Sequence, residues 1–149
     1  MLPLTAYGKM KLEFHGRVIK KGKAKGKALV SKEAITFLGG VDPKTGIIVE
    51  KGHSLEGKSV KDKILVFPHG KGSTVGSYVL YEMKKNNTAP KAIINEECEP
   101  IIAVGVIIAE IPCVDRIPIE KIETDDLIIV NNEKVTVIKK SLTFLGSKN

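Results

Sequence analysis

Metal-binding side chains are scarce in this sequence of 149 residues, which holds two cysteines, Cys98 and Cys113, and three histidines, His15, His53 and His69. The cysteines have no CxxC spacing and the histidines share no metal-ligand spacing, which argues against a metal ion or iron–sulfur cluster held by this chain alone. No apolar run approaches the roughly 20 residues of a membrane span. The opening MLPLTAYGKM lacks an apolar signal core ahead of a small-residue cleavage site, so a cytoplasmic, non-membrane protein is expected, with both cysteines as buried thiols. Arginine is nearly missing as well: Arg17 and Arg116 are the only two. A chain so poor in bidentate forks is not expected to bind nucleic acid, although lysines can track phosphates as point charges.

What is present suits one domain over residues 1–149, large enough for a single core. The net charge of +7 is uneven, because residues 1–32 carry nine basic side chains against one acid, Glu13, and the remainder is close to neutral. Lys21, Lys23, Lys25 and Lys27 alternate with Gly22, Ala24 and Gly26, which puts four ammonium groups on one face of an extended segment. Such a stripe reads first as a solvated, lysine-guarded edge or turn. It also suits a docking surface for an acidic partner.

Apolar patterning predicts strands at 11–19, 27–30, 46–50, 63–67, 91–95, 127–130 and 134–138, with Asn131 and Asn132 at the tip of the last hairpin. A helix is predicted over 73–86, where Val75, Gly76, Val79, Leu80 and Met83 share a stripe that should lie on a sheet. The run EPIIAVGVIIAE at 99–110 is apolar on every side and, with Pro100 near its start and Pro112 after it, reads as a short buried helix. Residues 37–46 form a long loop carrying Gly39, Gly40 and the turn signal around Asp42 and Pro43.

Chemistry concentrates at 64–74, where the hydrophobic strand ILVF leads through Pro68, His69, Gly70, Lys71 and Gly72 into a helix start at Ser73 and Thr74. Two glycines permit a tight turn, and a helix start offers unpaired N–H groups and the positive end of the dipole, which makes an anion site. The order Lys71 then Gly72 is not that of a Walker A loop. Ser73 suits a helix cap that accepts from Val75 or Gly76 N–H, and equally a nucleophile or base whose alkoxide the dipole and Lys71 stabilise.

The segments 26–31, 35–46 and 53–59, the run FPHGKGSTVGSYVLY at 67–81 and IPCVD at 111–115 together resemble the small subunit of the aconitase X family. The resemblance runs in order, at natural spacing, from about Arg17 to about Val137. It implies an α/β fold of the swivelling β/β/α type, as in the aconitase C-terminal domain, detached as its own chain. It also implies a large catalytic subunit that carries a [4Fe-4S] cluster, whose iron acts as Lewis acid, and most of the site for a small phosphorylated hydroxy acid. Archaeal two-subunit members are phosphomevalonate dehydratases, which convert (R)-5-phosphomevalonate into trans-anhydromevalonate 5-phosphate in a modified mevalonate pathway. The family's proton-accepting serine falls at Ser73. Around it Gly70, Lys71, Gly72 and Thr74 are expected to contact substrate, with Lys71 as anion contact or alkoxide stabiliser. Better-known aconitases place an arginine beside that serine, where this loop has Lys71 two residues earlier. Other readings are an aconitase X type dehydratase of another hydroxy acid such as cis-3-hydroxyproline, a phosphohistidine-like swivelling phosphocarrier, which needs a histidine at the helix start where Ser73 stands, and an RNA-binding module using the lysines.

Overall fold

The computed structural model describes residues 9–140. Its main sheet has eight strands in the order β1 (Lys11–His15), β10 (Lys134–Ile138), β9 (Leu127–Asn131), β3 (Lys23–Val30), β5 (Ile64–Phe67), β7 (Ala92–Asn95), β8 (Cys113–Asp115) and β2 (Arg17–Lys20). The strands β3, β5, β7 and β8 run parallel to one another, and the remaining pairings are antiparallel. The two ends of this order, β1 and β2, are consecutive in sequence and separated only by Gly16, so the sheet curls nearly into a barrel.

The strand expected over 11–19 is therefore split: its first half pairs with β10 and its second with β8. Gly16 makes the change of partner possible. A Cβ there would fall 2.2 Å from the Asp115 carbonyl oxygen and 2.8 Å from Ile117 and Val114 side-chain carbons. No side chain fits between backbones that close.

Period-two alternation sorts the strand residues into two cores. Ala28, Ile64, Val66, Ala92, Ile94 and Val114 point into the barrel with Ile128, Val130, Val135 and Val137. Leu29, Leu65, Phe67, Ile93 and Cys113 point outward, beneath α1 (Gly76–Lys85) and α2 (Pro100–Ala109) and a long loop that adds Phe37, Val41, Ile48, Leu55 and Val60. Burial on both faces explains why the parallel strands read as continuous apolar runs.

The segment 46–50 does not form the expected strand. It makes only the isolated bridges Val41 with Ile48 and Ile47 with Ser59 inside the long loop, where Ile48 is buried in the core beneath the helices and Val49 is exposed. Three strands escaped the pattern altogether, all of two or three residues: β8, β4 (Ile35–Thr36) and β6 (Gly70–Lys71). The last hairpin turns on Asn132 and Glu133, one residue later than expected, with Asn132 at φ 56°.

The lysine stripe lies on a half-strand that is paired on one side only, because β5 joins β3 only from Ala28 onward. Lys23 to Lys27 pair with β9 from Asn131 to Leu127, and the alternation holds: the lysines are exposed while Gly22, Ala24 and Gly26 are half-buried. Beyond the start of β5, the other side of this half-strand opens on a cavity of about 640 Å³ lined by Lys20, Lys23, Lys25, Lys84 and Lys91, together with Asp62.

Both helices appear where expected. The helix α1 starts at Gly76, three residues after Ser73, and α2 starts at Pro100, with Glu99 as its cap. They lie side by side and parallel: Gly76 faces Ile101, Gly105 packs on Ser77 and Leu80, and Lys84 donates to the Glu110 carbonyl. The expectation of a fully buried second helix fails on its outer side. Ile102, Gly105, Val106 and Ala109 are buried, but Val104, Ile107 and Ile108 are exposed, because nothing in this chain covers them among the described residues.

Candidate active site

The parallel strands β3, β5 and β7 deliver their C-terminal ends to one side of the molecule, where the loop from Pro68 to Val75 joins β5 to α1. Three sets of contacts hold this loop. The Pro68 carbonyl accepts from the N–H groups of Glu96 and Glu97, at 3.1 and 3.2 Å. Gly70 and Lys71 pair in parallel with Ile35 and Thr36. The Gly70 N–H donates to Glu99 Oε1 at 3.2 Å.

Both glycines of the loop are required by geometry. A Cβ on Gly70 would lie 2.6 Å from Glu99 Oε1 and 2.7 Å from an Ile102 side-chain carbon, and Gly72 adopts φ +95°, where a Cβ would also meet Thr36 at 2.9 Å. Glu99 is a residue the sequence reading missed. Its position before Pro100 marks a helix start, and its carboxylate accepts from the N–H groups of Ile101 at 2.8 Å and Ile102 at 3.2 Å. That the same carboxylate also reaches Gly70, 29 residues earlier, is visible only in three dimensions.

The loop presents Lys71, Gly72, Ser73 and Thr74 as exposed residues, with Gly70 buried beneath them. Ser73 Oγ accepts the Val75 N–H at 3.1 Å, an expected partner, but Ser73 stands two residues before the N-cap at Val75 and so caps a turn and not the helix expected to start there. The N–H groups of Gly76, Ser77 and Tyr78 donate to the carbonyls of Ser73, Thr74 and Val75 at 2.9, 3.3 and 2.9 Å. A tight turn thus precedes α1 and engages the N–H groups from Val75 to Tyr78, which the sequence reading had supposed unpaired. The dipole of the ten-residue helix still points its positive end at Ser73.

Lys71 is half exposed, and its ammonium lies 3.9 Å from Glu50 Oε2, a loose surface pair. His69 is also exposed, with its Nδ1 2.7 Å from the Gly70 carbonyl oxygen, and it precedes Ser73 by four residues. Asp42 sits elsewhere. Its Oδ1 accepts from the Lys44 N–H, while the neighbouring Pro43 carbonyl accepts from Thr88 and Asn86 just beyond the C-terminal end of α1. That end is separated from Ser73 by the length of the helix, roughly 15 Å at 1.5 Å per residue. Asp42 therefore belongs to a locally bonded turn at the end of α1 away from Ser73.

The buried polar groups near this end have structural partners. Asp115 is fully buried and receives Arg17 Nη2 at 2.7 Å, Arg17 Nε at 3.0 Å and the Cys98 N–H at 2.7 Å. This partner raises the Arg17 pKa further above its ordinary value. The neighbouring Cys98 thiol, together with burial, pushes the Cys113 thiol well above its ordinary range, so Cys113 is a protonated core residue. His53 accepts the Leu55 N–H at Nδ1, and its Nε2 lies 3.1 Å from the Ala34 carbonyl oxygen. Among the described residues, no three His, Cys, Asp or Glu side chains converge as metal ligands.

A family model described as the aconitase X swivel domain matches residues 13–140. The phosphomevalonate dehydratase small subunit of Methanosarcina mazei is 58% identical over 126 residues, covering 83% of this chain and 88% of that protein. The corresponding subunit of Thermococcus sibiricus is 54% identical over 123 residues, covering 83% of this chain and 95% of its own length. The crystal structure of Thermococcus kodakaraensis aconitase X, in its holo-form, superposes with a TM-score of 0.84 at 48% identity, over 86% of this chain and 99% of the matched one.

Proposed function

Because this chain belongs to the aconitase X family as its swivel domain, we propose that it is the small subunit of a cytoplasmic two-subunit hydro-lyase that dehydrates (R)-5-phosphomevalonate to trans-anhydromevalonate 5-phosphate. In this reading Ser73 Oγ removes the proton from the carbon beside the substrate carboxylate, and the neighbouring hydroxyl departs as water. The observation that carries it is the placement of Ser73: exposed, at the positive end of α1, on a loop whose two glycines and Glu99 contact set its path, with Oγ already receiving a backbone N–H.

A serine is a poor base at neutral pH, and the chain answers this with charge stabilisation. The Val75 N–H and the helix dipole both favour negative charge on Oγ. Gly70, Gly72 and Thr74 shape the backbone that meets the substrate, and Lys71, on its exposed side of the loop, contacts the substrate's anionic groups. The described residues do not fit a metal centre, so the [4Fe-4S] cluster of the resemblance belongs to the large subunit in this proposal, as do the remaining substrate contacts.

The test is anaerobic reconstitution with the cognate large subunit, followed by assay of phosphomevalonate dehydration with the unaltered chain and with Ser73→Ala. Removing a general base is expected to lower kcat by about 10²-fold or more while association and melting temperature stay unchanged. Undiminished turnover in a well-assembled Ser73→Ala complex reduces Ser73 to a turn-capping residue and moves the base to the large subunit.

A further inference from the structure

A ten-residue helix without one polar side chain belongs in the middle of a protein. In this chain α2 is such a helix, PIIAVGVIIA, yet half of its circumference is uncovered: Val104 and Ile107 are 49% and 52% exposed, and Ile108 is 37% exposed. The neighbouring helix adds to the same surface. Along α1 and the turn before it, Val75, Tyr78 and Tyr81 recur every third residue on the side away from the sheet and are 51%, 65% and 42% exposed. Because α1 and α2 pack side by side through Gly105, Ser77 and Leu80, the two stripes lie on neighbouring helices of one layer, with Glu82, Lys84 and Lys85 exposed on α1 beside them and Lys85 Nζ 5.7 Å from the centre of the Tyr81 ring. Isolated exposed apolar residues are ordinary, but six on two neighbouring helices and the turn before one of them mark a surface built to be covered.

We infer that this face is where the large subunit docks, an inference that rests on the proposed role of the chain as a small subunit. Continuity with the site selects this occupant. Val75 belongs to the face and is also the residue whose N–H holds Ser73 Oγ. Glu99, which caps α2, is bonded to Gly70 of the Ser73 loop, so both helices of the face begin at the site. A partner that brings the rest of the active site to Ser73 necessarily borders Val75, and the apolar face is what it meets next. The lysine-lined cavity lies at the opposite ends of the parallel strands, beside the C-terminal ends of both helices. It is too far from Ser73 to share that contact. The partner's matching surface is accordingly apolar and aromatic, and the association depends little on salt.

The experiment measures binding of the cognate large subunit, by calorimetry and by sedimentation, to the unaltered chain, to Tyr78→Glu and Val104→Glu singly and together, and to a Lys23→Glu, Lys25→Glu control. Milder Tyr78→Ala and Val104→Ala chains cover the case in which a charge disturbs the helices, and melting curves check that every variant is folded. The expected result is at least a tenfold loss of affinity for each charge variant, a larger loss for the pair, a smaller one for the alanine chains, and an unchanged value for the lysine control. Retained affinity in the folded charge variants overturns the assignment. So does a loss confined to the lysine control, failure of the unaltered chain to bind the large subunit, or a finding that the face pairs two copies of this chain while large-subunit affinity is intact. The proposed activity fails separately: an unaltered complex that assembles and does not dehydrate phosphomevalonate refutes the reaction and leaves the binding result standing.

Discussion

Glu99 serves two elements with one carboxylate, capping α2 through Ile101 and Ile102 and fixing the Ser73 loop through Gly70. In the proposed mechanism it acts on the chemistry through the position of that loop. Glu99→Ala leaves three N–H groups without this acceptor and is expected to cost about 1–2 kcal/mol in thermal unfolding. In the assembled enzyme it should also lower kcat with little change in KM, and Glu99→Gln, which keeps one acceptor oxygen, should restore much of both. A cap with no part in positioning moves the melting temperature alone. Glu33 makes a simpler case. The backbone N–H and side chain of Ser54 hold its carboxyl below the ordinary value of 4.5, so the ionised form is favoured by folding. That stabilisation is present above the unfolded pKa and disappears as pH falls through the lower folded value. The small melting-temperature gap between the unaltered chain and Glu33→Gln is therefore expected to stay constant near neutrality, narrow below about pH 4.5 and then vanish.

Gly16 decides whether an element can exist in its observed form. One extended stretch serves β10 and then β8, and the switch between them brings Gly16 against the Asp115 carbonyl with no space for a methyl group. Gly16→Ala is expected to destabilise the fold by about 3 kcal/mol, measured by urea denaturation, since the obstructing atom is backbone and cannot rotate away. The salt bridge of Arg17 with buried Asp115 fastens the same closure one residue later. The helix α2 shows the complementary case. Its Ile and Val content disfavours a helix by propensity alone, and the cap at Glu99, the proline at its first position and packing on α1 and the sheet override that preference.

At the scale of the molecule, the described chain offers a loop with one placed serine, an apolar face beside it and no convergent set of metal ligands. The isolated chain is expected to fold cooperatively and to show no phosphomevalonate dehydration above background in an anaerobic assay, with turnover appearing on addition of the large subunit. Turnover by the purified chain alone contradicts the proposed division of the site between two subunits.

Much of this was legible in the residues themselves. The parallel strands β5 and β7, the last hairpin, both helices and the glycine-rich turn into Ser73 follow from patterns within about a dozen residues, because apolar runs, cap residues and glycines act locally. The run of motifs from Arg17 to Val137 carried the family as well, and the match over 13–140 bears it out. What the sequence left open depends on contacts between distant segments. The splitting of the first strand at Gly16, the recruitment of Glu99 to Gly70, the docking of the Asp42–Pro43 turn at the far end of α1 and the pairing of the lysine strand with β9 all involve partners 29 or more residues apart in the chain. The outer side of α2 could not be read as exposed, since an all-apolar helix carries no periodic mark of which face meets the sheet. Only the packing of α1 and α2 on one side of the sheet decides which of its isoleucines and valines are left for a partner.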